Sequence, residues 1–313
     1  MSERPKVVVA LPLAQSLLDR LADYDLTFLP AGRSEDGVFE LALAEAEGLL
    51  VSSNVIVDRG VIESAPKLRL VSTMSVGLDH IDVDAAKERG IVVTITPVLS
   101  DAVADLTMAL MTMLARRICD GMHAVASGGW SQGLLGADLA GKQLLLVGFG
   151  RIGQAVARRA LAARMQVRYV DVRNGLAVVD DVDRVHDLAS GLPDADFVSL
   201  HVDLNAKTRH MMSRDEFKLM RPTAFLVNTS RGGVVDQAAL TSALTEGTIA
   251  GAALDVLEDE PPHPDDPLLR APNTIILPHM GSATMETRRA MAHCAVDNLM
   301  VGLRNERSGF EVT

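Results

Sequence analysis

Arg231, the acid cluster Glu258-Asp259-Glu260 and His279 each follow a short apolar run. The segments read Leu226-Val-Asn-Thr-Ser-Arg-Gly-Gly-Val-Val-Asp236, Ala252-Ala-Leu-Asp-Val-Leu-Glu-Asp-Glu-Pro-Pro262 and Ile275-Ile-Leu-Pro-His-Met-Gly-Ser-Ala-Thr284. Runs of this composition are those of buried strands, so each polar group is delivered at a strand end. A guanidinium at a Gly-Gly turn can clamp a carboxylate through paired, charge-assisted hydrogen bonds. An imidazole can give a proton to an oxygen on which charge develops, and a carboxylate beside it holds the ring and stabilises the imidazolium. Together they supply what reduction of a ketone beside a carboxylate demands, apart from the hydride. Taken singly, Arg231 also reads as a surface residue capping a turn, and His279 as a strand-end histidine satisfied by one hydrogen bond. His263, Asp265 and Asp266 lie with Pro264 in an acidic loop that reads as solvated charge, so no metal is expected.

The hydride source is written near the middle of the chain. Gln143-Leu-Leu-Leu-Val147 runs into Gly148-x-Gly150-x-x-Gly153, a turn that lets backbone approach a pyrophosphate and aims a helix N-terminus at it. Ile152, Val156, Ala157, Ala160 and Leu161 recur at helical spacing directly afterwards, so a helix opens where the phosphates need one. Gly148, Gly150, Arg151, Ile152 and Gly153 are the expected phosphate-side residues. A second strand, 166–170, ends at Asp171, placed to bond the adenosine ribose hydroxyls. A carboxylate there repels a 2′-phosphate and favours NAD, while Arg173 two residues on leaves NADP open. His201 ends the strand 196–200 and is expected near the cofactor.

Two series of elements must position these groups. The first has strands at 6–10, 26–29, 48–52, 68–73 and 91–94, with helices at 17–21 and 38–44. It is doubly wound but has Pro12 and Leu13 where a phosphate loop would need glycines. The second has six strands, at 143–147, 166–170, 196–200, 223–228, 249–254 and 274–277, which match a full dinucleotide-binding domain. A long helix from Asp101 to about Ala126, capped by Ser100 or Asp101, lies between them. The last helical segment, 283–303, is expected to return to the first domain. The expected architecture is therefore α/β: a dinucleotide-binding domain, residues 99–283, inserted in a substrate domain formed by 1–98 plus 284–313.

Composition agrees and excludes. A chain of 313 residues is long for one core, and 48% hydrophobic residues allow ample burial. A net charge of −11 with 30 scattered Lys and Arg argues against nucleic acid. The most apolar segment, 106–115, is 10 residues, short of the roughly 20 needed to span a membrane. Cys119 and Cys294 form no framework and read as buried small hydrophobes in a reducing compartment. Residues 2–6 lead into a strand rather than a signal sequence. The cytoplasm is the expected location.

The order of motifs resembles the D-isomer-specific 2-hydroxyacid dehydrogenase family. The likeness is carried by Thr73-Met-Ser-Val-Gly-Leu-Asp-His-Ile-Asp82, Asp101-Ala-Val-Ala-Asp-Leu-Thr-Met-Ala-Leu110, Val147-Gly-Phe-Gly-Arg-Ile-Gly-Gln154, Asn228-Thr-Ser-Arg-Gly-Gly233, Leu254-Asp-Val-Leu-Glu-Asp-Glu-Pro261 and Pro278-His-Met-Gly-Ser-Ala-Thr284. It implies a Rossmann NAD domain inserted in a flavodoxin-like one, and a catalytic Arg, Glu and His at Arg231, Glu260 and His279. Glu260 rather than Glu258 is chosen because it adjoins Pro261. It also implies that backbone N–H groups of Val76 and Gly77 take the substrate carboxylate, and that Asp255 lies near the nicotinamide carboxamide. Thr229, Ser230 and Gly281 complete the expected cofactor contacts. Residues 101–140 correspond to a dimer arm, so a homodimer is expected.

The Met-Ser-Val-Gly-Leu-Asp-His loop looks most like glyoxylate/hydroxypyruvate reductases and their hydroxyphenylpyruvate relatives. Three departures bear on the substrate side chain. The hinge Thr96-Pro97-Val-Leu-Ser-Asp101 is one residue short, with Ile95 for the usual Asn. Trp130 to Gly136 lacks the second Trp often present in hydroxypyruvate reductases, and Asp203 stands where Pro is usual. The expected activity is reversible, NAD(P)H-dependent reduction of a small 2-oxo acid of the glyoxylate/hydroxypyruvate type to the D-2-hydroxy acid, with NAD the expected cofactor and NADP possible. The alternatives are a hydroxyphenylpyruvate, phosphoglycerate or phosphite-type dehydrogenase, or a non-catalytic NAD-sensing protein like the corepressors that share the fold.

Overall fold

A computed structural model describes residues 4–30, 38–130, 133–173 and 179–313. The segment 130–136 is thus described except for residues 131 and 132, and residues 2 and 3 also fall outside. Elements up to Thr94 are β1 (Lys6–Ala10), α1 (Gln15–Arg20), β2 (Asp25–Phe28), α2 (Val38–Leu43), β3 (Gly48–Val51), α3 (Arg59–Glu63), β4 (Leu70–Thr73), α4 (Val83–Glu88) and β5 (Val92–Thr94). From Ser100 they continue as α5 (Ser100–Ala115), α6 (Ile118–Ala126), β6 (Gln143–Val147), α7 (Arg151–Ala162), β7 (Gln166–Val170), β8 (Val182–Arg184), α8 (Leu188–Gly191) and β9 (Phe197–Leu200). Then come α9 (Arg214–Leu219), β10 (Phe225–Asn228), α10 (Gln237–Thr245), β11 (Gly251–Leu254), β12 (Thr274–Ile276) and α11 (Met285–Leu303). The chain divides into two compact units, Met1–Leu99 with Thr284–Thr313, and Ser100–Ala283.

The first unit is a parallel five-stranded sheet in the order β2-β1-β3-β4-β5, the flavodoxin-like winding. Parallel strands are covered on both faces, so their sequences are apolar runs, and period two sorts each run between two cores. In β1, Val8 and Ala10 enter one core with Phe39, Val61 and Ile62. Val7 and Val9 enter the other, with Leu299 and Leu303 of α11. Asp58 and Asp82 cap α3 and α4 through Val61 N–H and Ala85 N–H at 2.9 and 2.8 Å.

The second unit is a parallel seven-stranded sheet, β12-β11-β10-β9-β6-β7-β8, with the reversal of strand order between β6 and β9 that marks the ligand end of a Rossmann sheet. Leu145 and Val147 of β6 pack on the α9–α10 side, whereas Leu144 and Leu146 pack with α5 and α7.

Several sequence expectations are corrected here. The second series has seven strands, because β8 was not anticipated. It carries Asp183 and Arg184 on an exposed edge, so it shows neither an apolar run nor alternation. The helix expected over 101–126 is two helices, separated by Arg117 at φ 52°. The carbonyl of Ala115 accepts from Ala137 N–H at 2.7 Å, so the returning chain captures the acceptor that would have continued the helix. Ser100 is already helical, and Asp101 pairs with Arg159 at 2.9 Å rather than capping. Cys119 is exposed and Cys294 half-buried, against the expectation of burial.

Candidate active site

The fingerprint turn is built by close backbone contact. Gly148 has φ +94°, and a Cβ there would fall 2.3 Å from the carbonyl oxygen of His201. One at Gly153 would fall 2.3 Å from the carbonyl oxygen of Gly148. Gly150 stands at the N-cap of α7 with no side-chain acceptor on the first turn, which leaves the N–H groups and the positive end of the helix dipole for an anion. These are the features a dinucleotide pyrophosphate requires, so the residues present fit that group.

Asp171, whose side chain is only 5% exposed, follows β7 and ties the turn together. Its carboxylate accepts from Phe149 N–H at 2.7 Å and Arg173 N–H at 2.8 Å, and from the Arg173 guanidinium at 3.2 and 3.3 Å. Burial opposes its ionisation, but the Arg173 side chain and the two backbone donors outweigh it and hold the carboxyl below the usual range. The Arg173 guanidinium also lies 3.3 Å from where a Gly150 Cβ would be. His201 bonds Ser199 Oγ through Nε2 at 2.9 Å. Its Nδ1 is buried and without a partner among the described residues. Burial lowers its pKa to about 3, so the ring is neutral near pH 7.

Downstream, β10 delivers buried Asn228, which sequence reasoning passed over although it precedes Arg231 by three residues. Its Oδ1 accepts from Ser230 N–H and Oγ–H at 3.0 and 2.8 Å, and its Nδ2 donates to the Arg231 carbonyl at 2.9 Å. Thr229 is fixed by Thr107 Oγ1 at 3.0 Å. Arg231 donates to Ser230 O at 2.9 Å. Gly232 lies directly on the loop after β11, because a Cβ there would fall 1.8 Å from the Leu257 carbonyl oxygen.

That loop holds two acid–histidine pairs. Glu260 accepts from Leu257 N–H at 3.1 Å and pairs through Oε2 with His279 Nδ1 at 2.7 Å, while Glu258 pairs with His210. Burial disfavours ionised Glu260, yet its hydrogen bond to His279, that ring's charge, the Leu257 N–H and the charge of Arg231 hold the carboxyl below its usual range. His279 adopts φ 51°, and its N–H donates to Asp255 O at 2.9 Å. Buried Asp255 accepts from Met280 and Gly281 N–H, both at 2.8 Å. Burial raises its pKa despite those two donors. With Nδ1 on Glu260, the Nε2 of His279 is the nitrogen left to exchange a proton; the ring is 46% exposed.

Val76 and Gly77 belong to the first unit, in the loop after β4. Their N–H groups have no acceptor among the described residues. Among the described residues no group of three or more His, Cys, Asp or Glu is arranged to hold a metal, and no helix is long and apolar enough to cross a membrane.

Known proteins resemble this chain over nearly its whole length. Residues 108–281 match the profile of the D-isomer specific 2-hydroxyacid dehydrogenase NAD binding domain. A glyoxylate reductase of Thermococcus litoralis is 39% identical over 97% of this chain and 95% of its own. The chain belongs to this dehydrogenase family. A glyoxylate/hydroxypyruvate reductase B of Pectobacterium carotovorum is 42% identical over 97% of this chain and 96% of its own. Among solved structures, an NADPH-dependent glyoxylate/hydroxypyruvate reductase of Sinorhizobium meliloti, in complex with NADP and malonate, superposes with TM-score 0.88 at 31% identity, covering 99% of this chain and 97% of that one. The D-lactate dehydrogenase of Aquifex aeolicus, complexed with NAD and lactic acid, gives TM-score 0.90 at 30% identity, covering 98% of both. As a D-2-hydroxyacid dehydrogenase the chain is an oxidoreductase, and the seven-stranded unit carries its NAD-binding domain.

Proposed function

We propose that this dehydrogenase reduces glyoxylate, hydroxypyruvate or a similarly small 2-oxo acid to the D-2-hydroxy acid, with NADH as the preferred donor. The observation that carries the reading is the Glu260–His279 pair, with Nδ1 engaged and Nε2 free, on a loop packed against the Arg231 turn. The nicotinamide, when bound, supplies the hydride. Arg231 clamps the substrate carboxylate, and the N–H groups of Val76 and Gly77 bind it as well. His279 Nε2 gives its proton to the carbonyl oxygen, while Glu260 fixes the ring and stabilises the imidazolium. Gly148, Gly150, Arg151, Ile152 and Gly153 hold the pyrophosphate and Asp171 the adenosine ribose. His201, Thr229, Ser230, Asp255 and Gly281 line the remaining cofactor surface. The names of the relatives support the substrate class, and the carboxylate of Asp171 supports NAD over NADP.

The active form is proposed to be a homodimer. No residue of α6 is buried, and Ile118, Met122 and Val125 form an exposed stripe. Nearby, Arg117, Cys119, Leu135 and Ala137 border a cavity. With only two cysteines, both free, a reducing cytoplasm is the proposed location.

The test is to follow NADH and NADPH oxidation against glyoxylate, hydroxypyruvate, hydroxyphenylpyruvate, pyruvate and 2-ketogluconate, with Arg231→Ala in parallel. Turnover is expected for the smallest acids, and kcat/KM is expected to fall at least about 100-fold in the variant. That is the loss of charge-assisted hydrogen bonds worth roughly 1.5–3 kcal/mol each. An unchanged kcat/KM on every active substrate would refute the assignment.

A further inference from the structure

We propose that His80, Thr73 and Ser75 form a directed hydrogen-bond chain whose task is to set the Val76–Gly77 backbone for the substrate carboxylate, making them positioning residues of the reaction. The proposal rests on the reading of that loop given above. Thr73, Ser75 and His80 are buried, at 0%, 5% and 8% exposure, within the first unit. Buried polar side chains lose hydration and persist where their hydrogen bonds are made. Here the bonds run in line. Ser75 Oγ donates to Gly77 O at 2.8 Å, Thr73 Oγ1 lies 3.0 Å from Ser75 Oγ, and His80 Nε2 lies 3.0 Å from Thr73 Oγ1.

Proton accounting gives the chain a direction. A hydroxyl has one proton to donate. Ser75 spends its proton on the Gly77 carbonyl, so at Thr73 it must accept. Thr73 therefore spends its own on Ser75 and must accept from His80, which places a proton on His80 Nε2. A carbonyl at one end and an imidazole N–H at the other leave no alternative order.

A second set of donors pins the other side of the loop. The Ser75 carbonyl accepts from Thr96 N–H at 2.9 Å and from Thr96 Oγ1–H at 3.3 Å. In a trans peptide the C=O and the following N–H point in opposite directions, so fixing Ser75 O turns Val76 N–H away from Thr96. The Gly77 carbonyl is fixed by Ser75 Oγ. The peptides on either side of Val76–Gly77 are thus both held, while the Val76 and Gly77 N–H groups themselves have no acceptor among the described residues. Successive free N–H groups on a fixed backbone bind an anion without reorganising. Four buried polar side chains are therefore spent on holding two amides open, which a loop with no ligand would not require.

The experiment compares Thr73→Val, its rescue Thr73→Ser, Ser75→Ala and Val76→Pro in the full chain. It measures KM and kcat with glyoxylate and NADH, the dissociation constant of oxamate from the NADH-loaded enzyme, and that of NADH alone. Thr73→Val and Ser75→Ala are expected to raise KM and weaken oxamate roughly 10-fold, the effect of one misaligned hydrogen bond to a charged group. They should leave kcat and NADH binding within about 2-fold on the same basis, and Thr73→Ser should restore oxamate affinity. A lowered melting temperature with unchanged KM and oxamate affinity in both Thr73→Val and Ser75→Ala would reduce the chain to a structural element and overturn the proposal. Val76→Pro deletes one of the amides outright. If it too leaves KM and oxamate unchanged, the loop is not the carboxylate site, and the underlying reading falls. If it weakens both while Thr73→Val and Ser75→Ala do not, only the positioning chain falls.

Discussion

At the scale of single residues, the two glutamates before Pro261 are separated by their partners. Glu260 holds His279 and Glu258 holds His210, so only Glu260 can act through His279. Glu260→Gln is expected to lower kcat for reduction by about 100-fold, within the range for loss of general acid–base assistance. An unchanged kcat would contradict this role. Asp171 has a consequence of the opposite kind, in stability. Its pKa is held below the ordinary carboxylate value, so its ionised form favours folding. That contribution is complete above the unfolded pKa of about 3.9 and is lost as pH falls through the lower folded value. Asp171→Asn should therefore be less stable near pH 7, with the gap closing below about pH 4. Urea unfolding across that range checks it, and a gap independent of pH would exclude the pairing as its cause.

At the scale of elements, the decisive contact is between the turn after β10 and the loop after β11. Gly232 leaves no room for a Cβ above the Leu257 carbonyl, 1.8 Å away, and Leu257 N–H holds Glu260. Gly232→Ala must displace the loop that carries the acid. It is expected to cost about 1–3 kcal/mol of stability, as overpacking does, and to lower kcat more than it raises the KM for NADH. A variant with unaltered kinetics would show that the loop position is immaterial. The element boundaries themselves were readable wherever apolar runs were long. They began late where the approach to a strand is also buried, as at Leu68, Ala224 and Ile249. Burial, not hydrogen bonding, sets the apolar pattern, so the pattern overruns the strand.

For the whole molecule, the exposed apolar stripe of α6 is the feature a single chain leaves unexplained. Light scattering on the purified protein is expected to give about twice the chain mass of 33.4 kDa. Met122→Glu combined with Val125→Glu should give a monomer, because charges buried in an interface are costly. A monomeric unmodified protein at micromolar concentration would set the dimer aside.

Read alone, the sequence indicated the two parallel sheets, the fingerprint turn, and Arg231, the acid cluster 258–260 and His279 at strand ends; the choice of Glu260 within that cluster rested on the family resemblance, through Pro261. Local composition suffices for the rest: apolar runs specify buried strands, glycines mark close backbone approach, and polar groups at strand ends mark the ligand side of the sheet. The tertiary structure alone decided the break at Arg117, the edge strand β8 and the partners of Glu258 and Glu260. It also decided the mooring of Asp171 on Arg173 and the hydrogen-bond chain from His80 to Gly77. Each of these depends on which groups distant strands, loops and turns bring within hydrogen-bond reach, and on which donors are already spent when they meet. Spacing along one chain does not encode that.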